Sequence, residues 1–240
     1  SACDGISIAC EVLDTPVTGG NVSLFNESKD DKGIIKTIQP TPVIGMVGIL
    51  DNVDKAVSAG WKSINDEIWI IGSKASDLTL SASSYLEYFH GLITGRPPSL
   101  NLIDEKLCQK FIRNGIFHDL IVSSHDISDG GLAIAIAESC ILSGKGADIK
   151  LTSQERKDKL LFAEGGSRII FSVPQSNKNK WLKFVSQESK TFTDSIYVTK
   201  IGIVTKDVLK IQNSDDVLCD LKVDALADKF NNGLSDNLKL

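Results

Sequence analysis

The chain has 240 residues, 42% hydrophobic and 24% charged, the balance of a globular protein with room for one large or two small domains. Its formal net charge of −5, with basic residues scattered along the chain, excludes nucleic acid as the main partner, because phosphate binding needs a clustered excess of Lys and Arg. No apolar run approaches the roughly 20 residues a membrane span needs, so no membrane partner is expected, and five widely spaced cysteines read as reduced thiols in a cytosolic compartment.

The chain opens on Ser1-Ala2-Cys3, already inside the apolar spacing of a helix (Ile6, Ala9, Val12, Leu13), and reads as beginning partway through a domain. That helix is expected to end near Asp14, since Pro16 disfavours helical geometry at Thr15. A glycine-containing loop follows, then a short apolar segment over 22–25 and a polar hairpin or loop over 26–36. Segment 43–50 mixes β-branched residues with glycine and predicts a buried strand. Strand 67–71 stops at Gly72, and helices are expected over 80–90 and 104–117 on either side of Gly95-Arg96-Pro97-Pro98.

Residues 121–124 predict a strand leading into His125-Asp126-Ile127-Ser128-Asp129-Gly130-Gly131 and a buried, Ala- and Ile-rich helix over 132–142. Alternation over 147–151 and 168–173 predicts strands, and 177–186 a helix with Trp181, Phe184 and Val185 turned inward. Strands over 197–204 and 208–211 precede a last helix over 223–230. Elements mixed in this order predict an α/β or α+β protein. Domain boundaries suggest themselves at 95–98 by composition and at 51–63 by periodicity.

Three segments carry residues suited to chemistry. In Thr18-Gly19-Gly20-Asn21-Val22-Ser23 the glycines let backbone N–H groups approach an anion, Asn21 offers a neutral oxygen to a hard cation, and Ser23 can bond a substrate oxygen. The same residues also make a simple turn. In Asp126-Ile127-Ser128-Asp129-Gly130-Gly131 acidic groups can hold a metal, or Ser128 or Asp129 can cap the following helix. In Glu164-Gly165-Gly166-Ser167-Arg168 the glycines serve a ligand loop or a turn, with Arg168 free to pair with Glu164. No cysteine has the setting of a glutaminase nucleophile, and His90, His118 and His125 lack metal-ligand spacing.

The order and spacing of these segments, with Pro40-Thr41-Pro42-Val43-Ile44-Gly45-Met46-Val47-Gly48 and Pro97-Pro98-Ser99-Leu100-Asn101-Leu102, resemble the phosphoribosylformylglycinamidine synthase family over nearly the whole chain. The likeness is to the small form, without a fused glutaminase. It implies the end of the second ATP-binding domain over 1–51 and the second C-terminal α/β domain, of the aminoimidazole ribonucleotide synthetase-like superfamily, over 52–240. It implies an ATP-dependent ligase converting formylglycinamide ribonucleotide and glutamine-derived ammonia to the amidine, ADP and phosphate. Gly20 would then contact ATP, Asn21 would ligate Mg²⁺, and Ser23 would contact the ribonucleotide.

The catalytic histidine and most metal carboxylates would come from an N-terminal half outside this chain. A glutaminase subunit and a small accessory subunit are the partners implied. The chain departs from the family at Ser81-Ala82-Ser83-Ser84-Tyr85, where Gly-Gly-Ser-Glu-Tyr is frequent, and at Gly165-Gly166, where many relatives carry Ser-Gln. Asp126, Asp129 and Glu164 are accordingly expected to form a degenerate, more structural second site. The alternatives are a different ATP-dependent relative such as aminoimidazole ribonucleotide synthetase, against which the 15–23 run argues, and a non-catalytic nucleotide-binding or scaffolding chain.

Overall fold

The computed structural model describes residues 2–21, 23, 26–38 and 41–238. The chain divides into two compact units, Ser1–Asp51 and Asn52–Leu240. The first begins with helix α1 (Ala2–Leu13) and continues into an antiparallel hairpin, β1 (Glu27–Lys29) with β2 (Ile35–Thr37), in the register Ser28↔Lys36. Asp30 makes the hairpin turn: its Oδ1 accepts from the backbone N–H groups of Lys32 and Ile34 at 3.0 and 2.9 Å, and Gly33 takes the left-handed conformation the turn requires. No described residue of this unit is buried.

Segment 43–50 departs from the expected buried strand. Its described backbone forms no strand, and Val43, Val47 and Ile49 are 92%, 97% and 95% exposed. A buried strand needs neighbours for its hydrogen-bonding groups and a layer over each apolar face. The apolar composition was read correctly, but residues 41–51 make no such contacts in this unit. The expected apolar segment over 22–25 falls largely outside the described residues.

The second unit is built on one seven-stranded sheet. Its strands are β3 (Glu67–Ser73), β4 (Ser123–Asp126), β5 (Gly146–Leu151), β6 (Arg168–Val173), β7 (Ile196–Thr205), β8 (Val208–Asn213) and β9 (Asp216–Lys222), in the spatial order β4-β6-β3-β7-β5-β8-β9. Every neighbouring pair is antiparallel except β5 with β8. Helices α2 (Ser84–His90), α3 (Leu102–Phe117), α4 (Gly131–Ser143), α5 (Lys157–Phe162), α6 (Lys178–Glu188) and α7 (Val223–Leu238) complete the unit.

The sheet is buried on both faces at β3 and β6, which is why β3 reads as a continuous apolar run rather than an alternation. Ile68 and Ile70 face Leu132, Ile136 and Cys140 of α4 and Leu160 and Leu161 of α5. Their neighbours Trp69 and Ile71 face Cys108 and Phe111 of α3 and Trp181 and Phe184 of α6. Trp181 is fully buried, edge-on to Trp69, Phe111 and Phe171 at centroid separations of 5.5, 5.6 and 5.4 Å.

Local chemistry sets several helix ends. Asn101 Oδ1 caps α3 by accepting from the Ile103 N–H at 3.0 Å, and Ser83 Oγ caps α2 by accepting from the Leu86 N–H at 3.3 Å. The Ser83 cap delays α2 to residue 84, four residues after the start expected from spacing alone. Gly91 and Gly144 end α2 and α4 in the left-handed conformation. Strand β4 lies two residues later than expected, and α5 and β9 carry too little apolar periodicity to stand out in the sequence.

Candidate functional site

The candidate loop, residues 15–26, leaves α1 through a left-handed Asp14 (φ 55°), with the Thr15 N–H donating to the Cys10 carbonyl at 3.0 Å. Farther along, Val17 lines a shallow groove with Cys3, Ile6, Ser7 and Cys10 of α1. The hairpin holds the other end, where the Ile38 N–H donates to the Asn26 carbonyl at 3.0 Å. Between these anchors Gly19 and Gly20 lie in the open: a Cβ added to either would meet no atom within 4 Å.

The three site residues expected from sequence fall together in this loop, all exposed. Asn21 donates from Nδ2 to Ser23 Oγ at 3.3 Å. That bond engages the amide nitrogen, and Oδ1 is the neutral oxygen a hard cation would need. Open glycine backbone on one side and a serine hydroxyl on the other suit a phosphate-bearing molecule and Mg²⁺ chemically. Among the described residues no group of three or more His, Cys, Asp and Glu is placed to hold a metal ion.

The second glycine loop, Glu164 to Ser167, differs in kind. Cβ atoms at Gly165 and Gly166 would lie 2.8 Å from Leu78 Cδ2 and 2.3 Å from Leu100 Cδ1, so the chain's own side chains stand where the first loop has open space, although Gly166 stays exposed. Glu164 Oε1 accepts from the backbone N–H groups of Ser84 at 2.9 Å and Gly130 at 2.8 Å. Glu105 Oε2 accepts from the N–H and Oγ of Ser167 at 2.7 and 3.0 Å.

Two expectations fail here. Neither Ser128 nor Asp129 caps α4: Gly130 occupies the cap in a left-handed conformation and contributes no side chain. Gly131 must also be glycine, because a Cβ there would come within 2.7 Å of the Phe162 carbonyl carbon. Arg168 does not pair with Glu164. Its side chain is buried beneath the sheet face that packs on α4, with Nε and Nη1 lacking hydrogen-bond partners, and burial pulls its pKa down. Asp126 and Asp129 remain exposed.

Cys108 and Cys140 are fully buried, and burial pushes each thiol up to about 12. Cys140 Sγ accepts from Trp61 Nε1 at 3.3 Å, which only partly offsets that rise. Such thiols stay protonated at neutral pH and are not nucleophiles.

Comparison with known proteins places this geometry in context. The family model described as "AIR synthase related protein, C-terminal domain" matches residues 63–211. The chain is 60% identical over 237 residues to the phosphoribosylformylglycinamidine synthase subunit PurL of Prochlorococcus marinus strain MIT 9301, covering 98% of this chain and 30% of that protein. It is 45% identical over 238 residues to the protein of the same name from strain MIT 9313, covering 95% of this chain and 30% of the relative. The chain thus spans about 30% of the length of the curated relatives it matches.

Among solved structures, Thermotoga maritima PurL complexed with ATP superposes with a TM-score of 0.56 at 14% identity, over 73% of this chain and 28% of that one. The same protein complexed with FGAR gives 0.53 at 18% identity, over 73% and 30%. At these identities the likeness establishes the fold.

Proposed function

The chain belongs to the family of AIR synthase related proteins, C-terminal domain, and from that membership we propose that it works as the C-terminal part of a phosphoribosylformylglycinamidine synthase. The observation that carries this reading is the 60% identity, over 98% of this chain, to 30% of the length of synthase subunits of Prochlorococcus marinus. The reaction would convert formylglycinamide ribonucleotide, ATP and glutamine-derived ammonia to the amidine, ADP and phosphate, in the cytoplasm. Unit Ser1–Asp51 is the end of the second ATP-binding domain in this reading, and Asn52–Leu240 the second C-terminal α/β domain; the observed division of the chain supports it.

In the proposed complex the Gly20 backbone binds ATP phosphate, Asn21 Oδ1 holds Mg²⁺, and Ser23 Oγ binds the ribonucleotide. Mg²⁺, when bound, supplies charge neutralisation on the phosphoryl group being transferred. This chain's own part is positional. The Asn21–Ser23 bond joins the two side chains at 3.3 Å, and open glycine backbone leaves room for the phosphates. The catalytic histidine and remaining metal ligands belong to the rest of the longer protein. A separate glutaminase subunit to deliver ammonia and a small accessory subunit complete the assembly in this reading; buried, protonated Cys108 and Cys140 are themselves unsuited to glutaminase chemistry.

The test is a Mg²⁺ and ATP titration of the complete synthase carrying changes at Asn21. Asn21→Ala removes a metal ligand from an exposed loop and is expected to lower kcat/KM by ~10²-fold. Asn21→Asp keeps an oxygen and adds a charge, so the Mg²⁺ dependence should shift. Unchanged ATP kinetics and metal dependence in both variants would reduce the loop to a turn, since Asp tolerates turn geometry nearly as well as Asn.

A further inference from the structure

The two glycine loops look alike in sequence and are opposite in structure. Gly19 and Gly20 have open space on their Cβ side, whereas Gly165 and Gly166 have Leu78 and Leu100 there, with Gly165 half-buried and Gly166 exposed. The donors around the second loop are also taken. Glu164 Oε1 receives the N–H groups of Ser84 and Gly130, which lie 80 and 34 residues away in the chain. Glu164 also bridges Thr79 through the backbone, and Ser167, at the loop's far end, is tied to Glu105. The turn entering α4 is shaped for this contact: Gly130 and Gly131 both have positive φ (77° and 72°), which directs the Gly130 N–H toward the carboxylate.

We propose that Glu164 is a positioning residue, a built-in anion that locks segments 79–84, 128–131 and 164–167 together and occupies the two backbone donors an anionic ligand would use there. One carboxylate oxygen accepting two backbone N–H groups makes charge-assisted bonds that a neutral turn does not have. A phosphate reaching Ser84 and Gly130 would have to displace it. Leu78 and Leu100 occupy the Cβ side of the glycines, while Gly166 keeps an exposed face. The proposal is independent of the role given to Asn21, which lies in the other unit.

Residue-resolved amide hydrogen exchange on the chain tests it. In the wild-type protein the Ser84 and Gly130 amides are expected to be protected, and addition of inorganic phosphate or ATP should leave both unchanged. Glu164→Ala should raise exchange at both amides together by ~10-fold or more, the equivalent of ~1.4 kcal/mol. Glu164→Gln, whose amide oxygen still accepts but carries no charge, should restore part of the protection. Phosphate-dependent protection of these amides in the wild type would show the donors open to a ligand and overturn the proposal. Unchanged exchange in Glu164→Ala, or no rescue by Gln in a variant whose α3 and α6 amides stay protected, would overturn the lock. If Glu164→Ala fails to fold, the Gln variant and the wild-type phosphate titration still decide the matter.

Discussion

Asp66 shows how a single buried residue makes this fold sensitive to pH. It sits in the turn before β3, 5% exposed, with Oδ2 accepting from the Ser63 N–H at 3.0 Å. Desolvation raises its pKa, and neither the Ser63 bond nor nearby Lys145 offsets this fully. A carboxyl whose folded pKa exceeds its unfolded value binds its proton more tightly in the native state. It therefore favours folding below the unfolded value of about 3.9, and that contribution is lost as pH rises through the folded pKa. Asp66→Asn keeps an acceptor for Ser63 and removes the titration. Its melting temperature should pull ahead of the wild type as pH climbs from ~4 toward 7; an offset independent of pH would refute the assignment. Gly72 illustrates a different constraint. It lies between Arg168 and Tyr197 on neighbouring strands, at φ 130°, and a Cβ there would come within 1.7 Å of the Ser167 carbonyl oxygen. The strand-ending glycine visible in the sequence is a residue of close backbone contact inside the sheet.

At the scale of elements, legibility follows burial. Strand β6 has the bounds its apolar pattern predicts, 168–173, and α4 falls within one residue of the expected helix, because each lies in the interior and carries an apolar signal along its length. Strand β9 escaped notice because it is an edge strand with an exposed face; Asp216, Asp220 and Lys222 break its pattern and discourage pairing with other chains. Helix α6 is the clearest amphipathic case, with Trp181 and Phe184 buried and its lysines outward. Truncation at Trp181→Ala should cost about 3–5 kcal/mol by leaving a cavity among Trp69, Phe111 and Phe171. Denaturant unfolding measures this directly, and a loss below about 1 kcal/mol would mean that the aromatic cluster collapses to fill the void.

At the scale of the molecule, the two units contrast sharply. Asn52–Leu240 has an interior on both sides of its sheet, whereas Ser1–Asp51 buries no described residue. A unit without an interior gains little from the hydrophobic effect and cannot hold a loop to the tolerance catalysis needs. The proposed ligand loop lies in that unit. The purified 240-residue chain is accordingly expected to give no product from ATP, formylglycinamide ribonucleotide and ammonium, at enzyme concentrations where the complete synthase turns over readily. Measurable product from the chain alone would remove the need for the longer protein.

The sequence by itself determined the mixed α/β architecture and most of the inner strands and helices, because burial on two sides of a sheet writes a local apolar pattern that needs no knowledge of partners. It also determined the position of the candidate loop, since Gly20, Asn21 and Ser23 lie within four consecutive positions. Tertiary structure alone decided how the two glycine pairs differ. Leu78 and Leu100 reach Gly165 and Gly166 from distant parts of the chain, and Glu164 finds its donors at Ser84 and Gly130. It decided likewise that the apolar segment 43–50 forms no strand, because strand formation requires hydrogen-bonding neighbours that a local pattern cannot supply.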